Sequence, residues 1–344
     1  MIMGITSTLI PFSPSLPLFF VLCAINGFVM GSLDTGGNVL CLDIWQGFDD
    51  SGPYMHSIHF SFGFGAFVSP LVAESFLKVN GLNESYQNVT TNNQTTTQAT
   101  NEIQNGMGLD VLYPIIGTFA ILVSLGYLVL AIKDSRISSK SNPYTKLTND
   151  RKSSPNNSVI IALVLVFLFL YVGMEVMYGT YLATFAVESK LHLSRQVGAR
   201  ITAIFWGAFA SMRFLAIFAS VKLSPLGTLI FSFFVSLVGS TLLAIFGETS
   251  VESLSIFTAF MGVGMAPIFA SCMLWMDQYM TVTNKIGGFM SVAGGIGADL
   301  FPLLLGQFIA KLPMLLMYMQ VVLIYLCVLL FTLASWIGKR TSGL

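Results

Sequence analysis

Long apolar runs separated by short polar ones make up most of the chain. Nine runs are long enough for membrane-crossing helices, near 17–43, 53–76, 111–132, 159–186, 197–220, 224–247, 252–276, 286–310 and 313–337. The measure is that roughly 20 apolar residues in a helix cross the hydrocarbon core of a bilayer. Residues 1–12 are apolar but too short for that, and Pro14 and Pro17 interrupt the chain just beyond them. They read as an interfacial stub, a signal peptide without its leading basic residues, or the tail of a cut helix.

Two polar segments orient these runs. The segment 77–110 is rich in Thr and Asn and carries glycosylation sequons at Asn83, Asn88 and Asn93. The segment 133–158 holds Lys133, Arg136, Lys140, Lys146, Arg151 and Lys152 against Asp134 and Asp150. Basic excess marks the cytoplasmic side, which places the first loop outside and the second inside. Lys339 and Arg340 put the short tail 339–344 inside as well, whereas Lys190, Arg195 and Arg200 fall outside and run against the rule.

Composition agrees with an all-α polytopic membrane protein. Charged residues are 9% and hydrophobic ones 54%, where a soluble domain carries roughly 25% charged. With formal net charge zero, nothing in the balance points to nucleic acid. Cys23, Cys41, Cys272 and Cys327 all lie in apolar runs without paired spacing, so neither a disulfide framework nor a zinc site is expected. His56 and His59 lack the His-x-x-x-His spacing of a zinc helix. No nucleophile–base constellation points to an enzyme, and no cofactor is implied beyond a co-transported Na+ or H+.

An internal echo suggests two related halves. Gly63-Phe-Gly65-Ala66-Phe-Val-Ser-Pro70-Leu71 recurs as Gly295-Ile-Gly297-Ala298-Asp-Leu-Phe-Pro302-Leu303. Six apolar runs come after the basic loop and three precede it. The expected organisation is therefore an incomplete N-terminal half at 1–132, a cytoplasmic loop at 133–158 and a six-helix half at 159–338. A chain of this kind is expected to be a fragment, a mis-assigned gene start or a short isoform.

Several segments resemble the major facilitator superfamily. They are Gly31-Ser-Leu-Asp34-Thr35-Gly36-Gly37-Asn38, Gly52-Pro-Tyr-Met-His-Ser-Ile-His59 running to Phe67, and Tyr171-Val-Gly-Met-Glu175-Val-Met-Tyr-Gly179. Arg213-Phe-Leu-Ala-Ile and Gly262-Val-Gly-Met-Ala-Pro-Ile-Phe269 with Trp275 and Gln278 extend the likeness. Within the superfamily the chain looks like the branch of sodium-dependent glucose transporter 1 and the domain-containing-protein-4 relatives, with the bacterial fucose permease more distant. The resemblance covers nearly the whole chain, from the end of a third helix to a twelfth. It implies a major facilitator fold and a secondary transporter of hexoses at the plasma membrane. It also implies sugar contact and cation coupling at Asp34 and His59, and adds Gln278 to the substrate candidates. At the position of Asp299 the family carries a glutamate.

The residues themselves carry matching chemistry. Asp34 stands in more than twenty uncharged residues, and an acid at that depth usually marks an ion or solute path. Asp34 and Asn38 are four apart and share a helix face. Carboxylate and amide can hold sugar hydroxyls, and the oxygens also suit a hard cation such as sodium. The bland alternative for Asp34 is an ion pair or hydrogen bond to a neighbouring helix. Glu175, with Tyr171, Tyr178 and Gly179, repeats the situation. Arg213 reads either as the partner of Glu175 or Asp299 or as a gating residue. His59 is expected to line a polar cavity, and His56 to be solvated near a helix end. A facilitator for another small polar solute, or a truncated product that does not transport, shares these features.

Overall fold

The computed structural model describes residues 1–45, 51–79, 84–91, 94–101, 109–137 and 157–342. The chain divides into two compact units. One comprises Met1–Gly31 and Val68–Pro143, the other Ser32–Phe67 and Tyr144–Leu344. Two of the divisions, after Gly31 and after Phe67, fall inside long helices, and the third, after Pro143, falls in the central basic segment.

In the first unit, a short helix α1 (Ile2–Leu9) leads through a 3-10 turn (Ile10–Phe12) into α2 (Leu16–Trp45), whose residues from Ser32 onward belong to the second unit. The helix α3 (Ser51–Val79) belongs to the second unit up to Phe67 and to the first from Val68, and α4 spans Leu109–Ile137. α1 packs on α4 through small residues, where Gly4 and Gly117 meet with no room for a side chain on either. Close approach of this kind replaces the missing hydrophobic driving force between helices in lipid. The Met1 ammonium donates to Ser124 Oγ at 2.7 Å, and Thr6 Oγ1 donates to Asn26 Oδ1 at 3.2 Å. In the polar segment a hairpin pairs β1 (Glu84–Thr91) with β2 (Gln94–Asn101) in antiparallel register. Of the three sequons, Asn88 lies on β1, and Asn83 and Asn93 fall outside the described residues.

The second unit contains α5 (Asn157–Glu188), α6 (Arg195–Ala219), α7 (Pro225–Phe246), α8 (Val251–Met265), α9 (Ile268–Tyr279), α10 (Asn284–Gly306) and α11 (Leu315–Ser342). Side-chain caps set four starts: Ser194, Ser224, Ser250 and Thr283 accept from the backbone N–H three residues on. Such caps satisfy donors that have no helical partner. α5 lies at the centre, packed against α6, α10 and α11. Its Gly173 crosses Gly297 of α10 so closely that a Cβ on Gly173 would meet Phe301 and the Gly297 carbonyl. Phe167, Tyr171, Met174, Tyr178 and Phe185 of α5 are buried with Phe205, Phe209, Trp275 and Phe331.

Where the sequence suggests one run at 252–276, two helices form. Pro267 lacks the N–H that would continue α8, and the chain passes Ala266-Pro267 before α9 starts. Large apolar side chains such as Phe119, Tyr127, Phe218, Phe234 and Leu303 face outward. Among the described residues, eight spans are long and apolar enough to cross a membrane, one of them Val251–Tyr279 across this break. α3 is also long enough to cross a membrane and lies outside those eight.

Candidate functional site

Asp34, Thr35 and Asn38 stand on one side of α2 and meet Ser291 of α10. Asn38 Nδ2 donates to Asp34 Oδ1 at 3.2 Å. Thr35 Oγ1 donates to Ser291 Oγ at 2.9 Å, and Ser291 Oγ donates to Asp34 Oδ2 at 3.2 Å. The helices approach closely because α10 offers Gly287, where a Cβ would strike Val39 of α2. Asn38 is 2% exposed, and its Oδ1 is buried without a hydrogen-bond partner. Asp34 itself is open at the surface of the unit. Two carboxylate oxygens, two hydroxyls and an uncommitted amide oxygen therefore gather around residues 34–38.

Arg213 of α6 lies beyond this cluster and is 3% exposed. Its Nη1 donates to the carbonyl of His59 on α3 at 2.8 Å, and its Nε to the carbonyl of Ala266 at 3.1 Å. The guanidinium stacks 4.2 Å from the Phe209 ring centroid. Among the described residues Arg213 forms no ion pair with Glu175 or Asp299, contrary to one of the two roles the sequence suggested for it; the ion pair found is Lys190–Glu248 at 3.1 Å. Asp299 stands on an exposed side of α10, which keeps it from a buried partner. Arg213 is nevertheless the cation whose field reaches Asp34, His59 and Glu175.

Glu175 is buried on α5. Tyr171 Oη lies 2.6 Å from Glu175 Oε2 and 2.8 Å from the carbonyl of Met265, the last residue of α8. One turn further on, Tyr178 Oη and Thr258 Oγ1 share a hydrogen bond at 2.8 Å. Gln320 of α11, fully buried, donates through Nε2 to the carbonyl of Met174 at 3.0 Å and leaves Oε1 unpartnered. His59 packs its ring 5.0 Å from that of Phe269, and its Nε2 is buried without a partner. His56 is buried too rather than solvated, at 1% exposure.

Thus Asp34 and Asn38 come together, and Glu175 joins Tyr171. Arg213 ties His59 to the interrupted helix. Gln278 is exposed in the last turn of α9, outside these contacts. Sequence reasoning passed over Thr35, Ser291, Gln320 and the carbonyls of Met265 and Ala266. Gln320 carried a usable signal as the one amide in the apolar run 315–338. Ser291 carried none, because a serine among glycines is ordinary in a packed helix.

Apolar helices enclosing a buried arginine and glutamate, with one helix interrupted beside them, define a polytopic membrane protein built around a polar interior. The sequence matches the Major Facilitator Superfamily over residues 1–302, and the chain belongs to that transporter family. It is 33% identical over 311 residues to sodium-dependent glucose transporter 1 of Homo sapiens, covering 89% of this chain and 59% of that protein. Major facilitator superfamily domain-containing protein 4A of Xenopus tropicalis is 21% identical, covering 88% and 70%. The crystal structure of the transporter FucP in the outward conformation superposes with a TM-score of 0.64 at 15% identity, covering 98% of this chain and 79% of that one. The chain spans about six-tenths of the length of the glucose-transporter relatives from Homo sapiens and Xenopus laevis.

Proposed function

We propose that the protein is a secondary transporter that moves a hexose, glucose or a close analogue, by alternating access and couples it to Na+ or H+ in the plasma membrane. The observation that carries this reading is the oxygen cluster of Asp34, Thr35, Asn38 and Ser291, with Asn38 Oδ1 buried and uncommitted. Buried polar atoms nearly always have a partner, so one without a protein partner suits a bound solute or ion. A sodium ion takes carboxylate, hydroxyl and amide oxygens of this kind. Sugar hydroxyls pair with the same acceptors and with His59 Nε2. The names of the relatives, sodium-dependent glucose transporters, favour that pairing of cargo.

Neutralisation of Asp34 links the two cargoes. A cation at Asp34 neutralises the carboxylate and leaves the Asn38 amide for a sugar, so each ligand improves the site for the other. Glu175 and Gln320 supply further polar contacts on α5 and α11, and Gln278 is a candidate at the end of α9. The test is labelled-glucose uptake by this chain in proteoliposomes with and without a sodium gradient. Uptake that depends on the gradient and disappears in Asp34→Asn is expected. Uptake unchanged by that substitution overturns the assignment.

A further inference from the structure

Tyr171 faces two acceptors with a single hydroxyl hydrogen. Its Oη is 2.6 Å from Glu175 Oε2 and 2.8 Å from the Met265 carbonyl, and a phenol donates one hydrogen bond. An ionised Glu175 and the Met265 carbonyl are both acceptors only. Both contacts are satisfied together in one arrangement alone, in which the carboxyl donates to Tyr171 Oη and Tyr171 donates to Met265. All three groups are buried, so an unmade bond here is not recovered from bulk water.

We infer that Glu175 carries a proton in this conformation and that the Glu175–Tyr171–Met265 chain reports its presence to the interrupted helix. When the proton leaves to water, the carboxylate becomes the stronger acceptor and draws the Tyr171 hydrogen to itself. The Met265 carbonyl is then released at the end of α8, beside Pro267. The adjoining carbonyl of Ala266 stays on Arg213. Proton loss therefore loosens one of the two side-chain tethers at the break and leaves the other.

The surroundings of Glu175 contain few competing groups. α6 presents Arg213, which acts on Glu175 through its field without forming an ion pair. α11 presents Cys327, whose Sγ lies 4.0 Å from the Phe167 carbonyl, and Gln320, which is engaged with Met174. α10 brings Gly297 and Phe301 against α5, and its Asp299 is exposed. The break between α8 and α9 contributes backbone carbonyls. The inference deepens the transport reading, since it makes Glu175 the seat of an exchangeable proton, but its test does not use transport.

Infrared spectra of the full chain in lipid nanodiscs at neutral pH give the test. A protonated-carboxyl C=O band is expected that disappears in Glu175→Gln and moves to higher frequency in Tyr171→Phe, where the carboxyl loses its acceptor. Absence of such a band in the wild-type protein, or a band that Glu175→Gln leaves in place, overturns the inference. If Glu175→Gln fails to fold, the Tyr171→Phe shift decides alone, and an unshifted band counts against it. Failure of glucose uptake with the band present would sink the hexose reading and leave the proton on Glu175.

Discussion

Arg213 of α6 holds the carbonyl of His59 on α3, 154 residues earlier in the chain, through a 2.8 Å hydrogen bond. The contact needs room for a long side chain beside a helix backbone, and Gly63 provides it. A Cβ at Gly63 would stand 3.3 Å from Arg213 Cδ. The same guanidinium reaches the broken helix at Ala266. One buried cation thereby links a helix that precedes the basic central loop to two that come after it. It satisfies itself with carbonyl dipoles rather than a carboxylate, which leaves Asp34 and Glu175 free of a direct ion pair.

Truncating Arg213 therefore strands two buried carbonyls. Each lost hydrogen bond with a buried unsatisfied partner costs about 1–3 kcal/mol, so Arg213→Ala should destabilise the fold by about 2–6 kcal/mol. Arg213→Lys should recover part of this, because an ammonium is a compact point donor and does not reproduce the fork that meets two carbonyls at once. Thermal unfolding in detergent, followed by intrinsic fluorescence, ranks the three proteins. Equal stability of wild type and Arg213→Ala would refute the bridging role.

The glycine echo of the sequence makes a sharper prediction than its symmetry suggests. In α10, a Cβ at Gly297 would collide with the carbonyl of Phe169 on α5, whereas a Cβ at Gly295 meets nothing within 4 Å. Gly297→Ala should cost about 1–3 kcal/mol by prising α5 from α10, and Gly295→Ala should be neutral or slightly stabilising in a helix. In the earlier copy the pattern reverses: Gly63 is crowded by Arg213 and Gly65 is open. Paired melting curves of the two α10 variants check this, and equal melting temperatures would contradict the crowding at Gly297.

This reversal marks what the sequence could and could not yield. Apolar run length located the long helices because burial in lipid demands nothing subtler than some twenty residues without charge. Asp34, Glu175 and Arg213 were conspicuous for the same reason. The break at Ala266-Pro267 was visible as a proline yet lay within an unbroken apolar run, and periodicity does not register a missing backbone donor. The use of Arg213 was hidden because its acceptors are main-chain carbonyls, which every residue carries. Ser291 and Thr35 were hidden because hydroxyls at glycine-rich positions carry no distinguishing pattern. The G-x-G-A repeat was legible as text, whereas its packing depends on partner helices that the two copies do not share.

If the oxygen cluster at residues 34–38 holds the coupling ion, its hydroxyls should matter in order of their distance from the charge. Ser291 Oγ contacts Asp34 Oδ2 directly, and Thr35 acts through Ser291. A hydrogen bond to a charged group contributes about 1.5–3 kcal/mol. Ser291→Ala is therefore expected to raise the sodium concentration for half-maximal glucose uptake about tenfold to a hundredfold, with a smaller rise for Thr35→Val. Asp34→Asn should remove the sodium response. Sodium titrations of uptake in proteoliposomes check the order, and a Thr35 effect exceeding that of Ser291 contradicts it.

Gln320 separates a structural role from a functional one. Its Nε2 caps the Met174 carbonyl, one residue before Glu175, while its Oε1 is buried without a partner. A purely structural glutamine with one unsatisfied oxygen is a poor use of a core position. Replacing it with an apolar residue of similar size removes that unpaired atom along with the bond to Met174. Gln320→Leu should therefore leave stability within about 1 kcal/mol of wild type. If Oε1 instead receives a sugar hydroxyl, loss of that bond should weaken glucose uptake about fivefold, because a neutral hydrogen bond in a desolvated site contributes about 1 kcal/mol. Melting temperature and the uptake half-saturation constant, measured on the same preparation, distinguish the cases. A stable Gln320→Leu protein with unchanged glucose affinity removes Gln320 from the site.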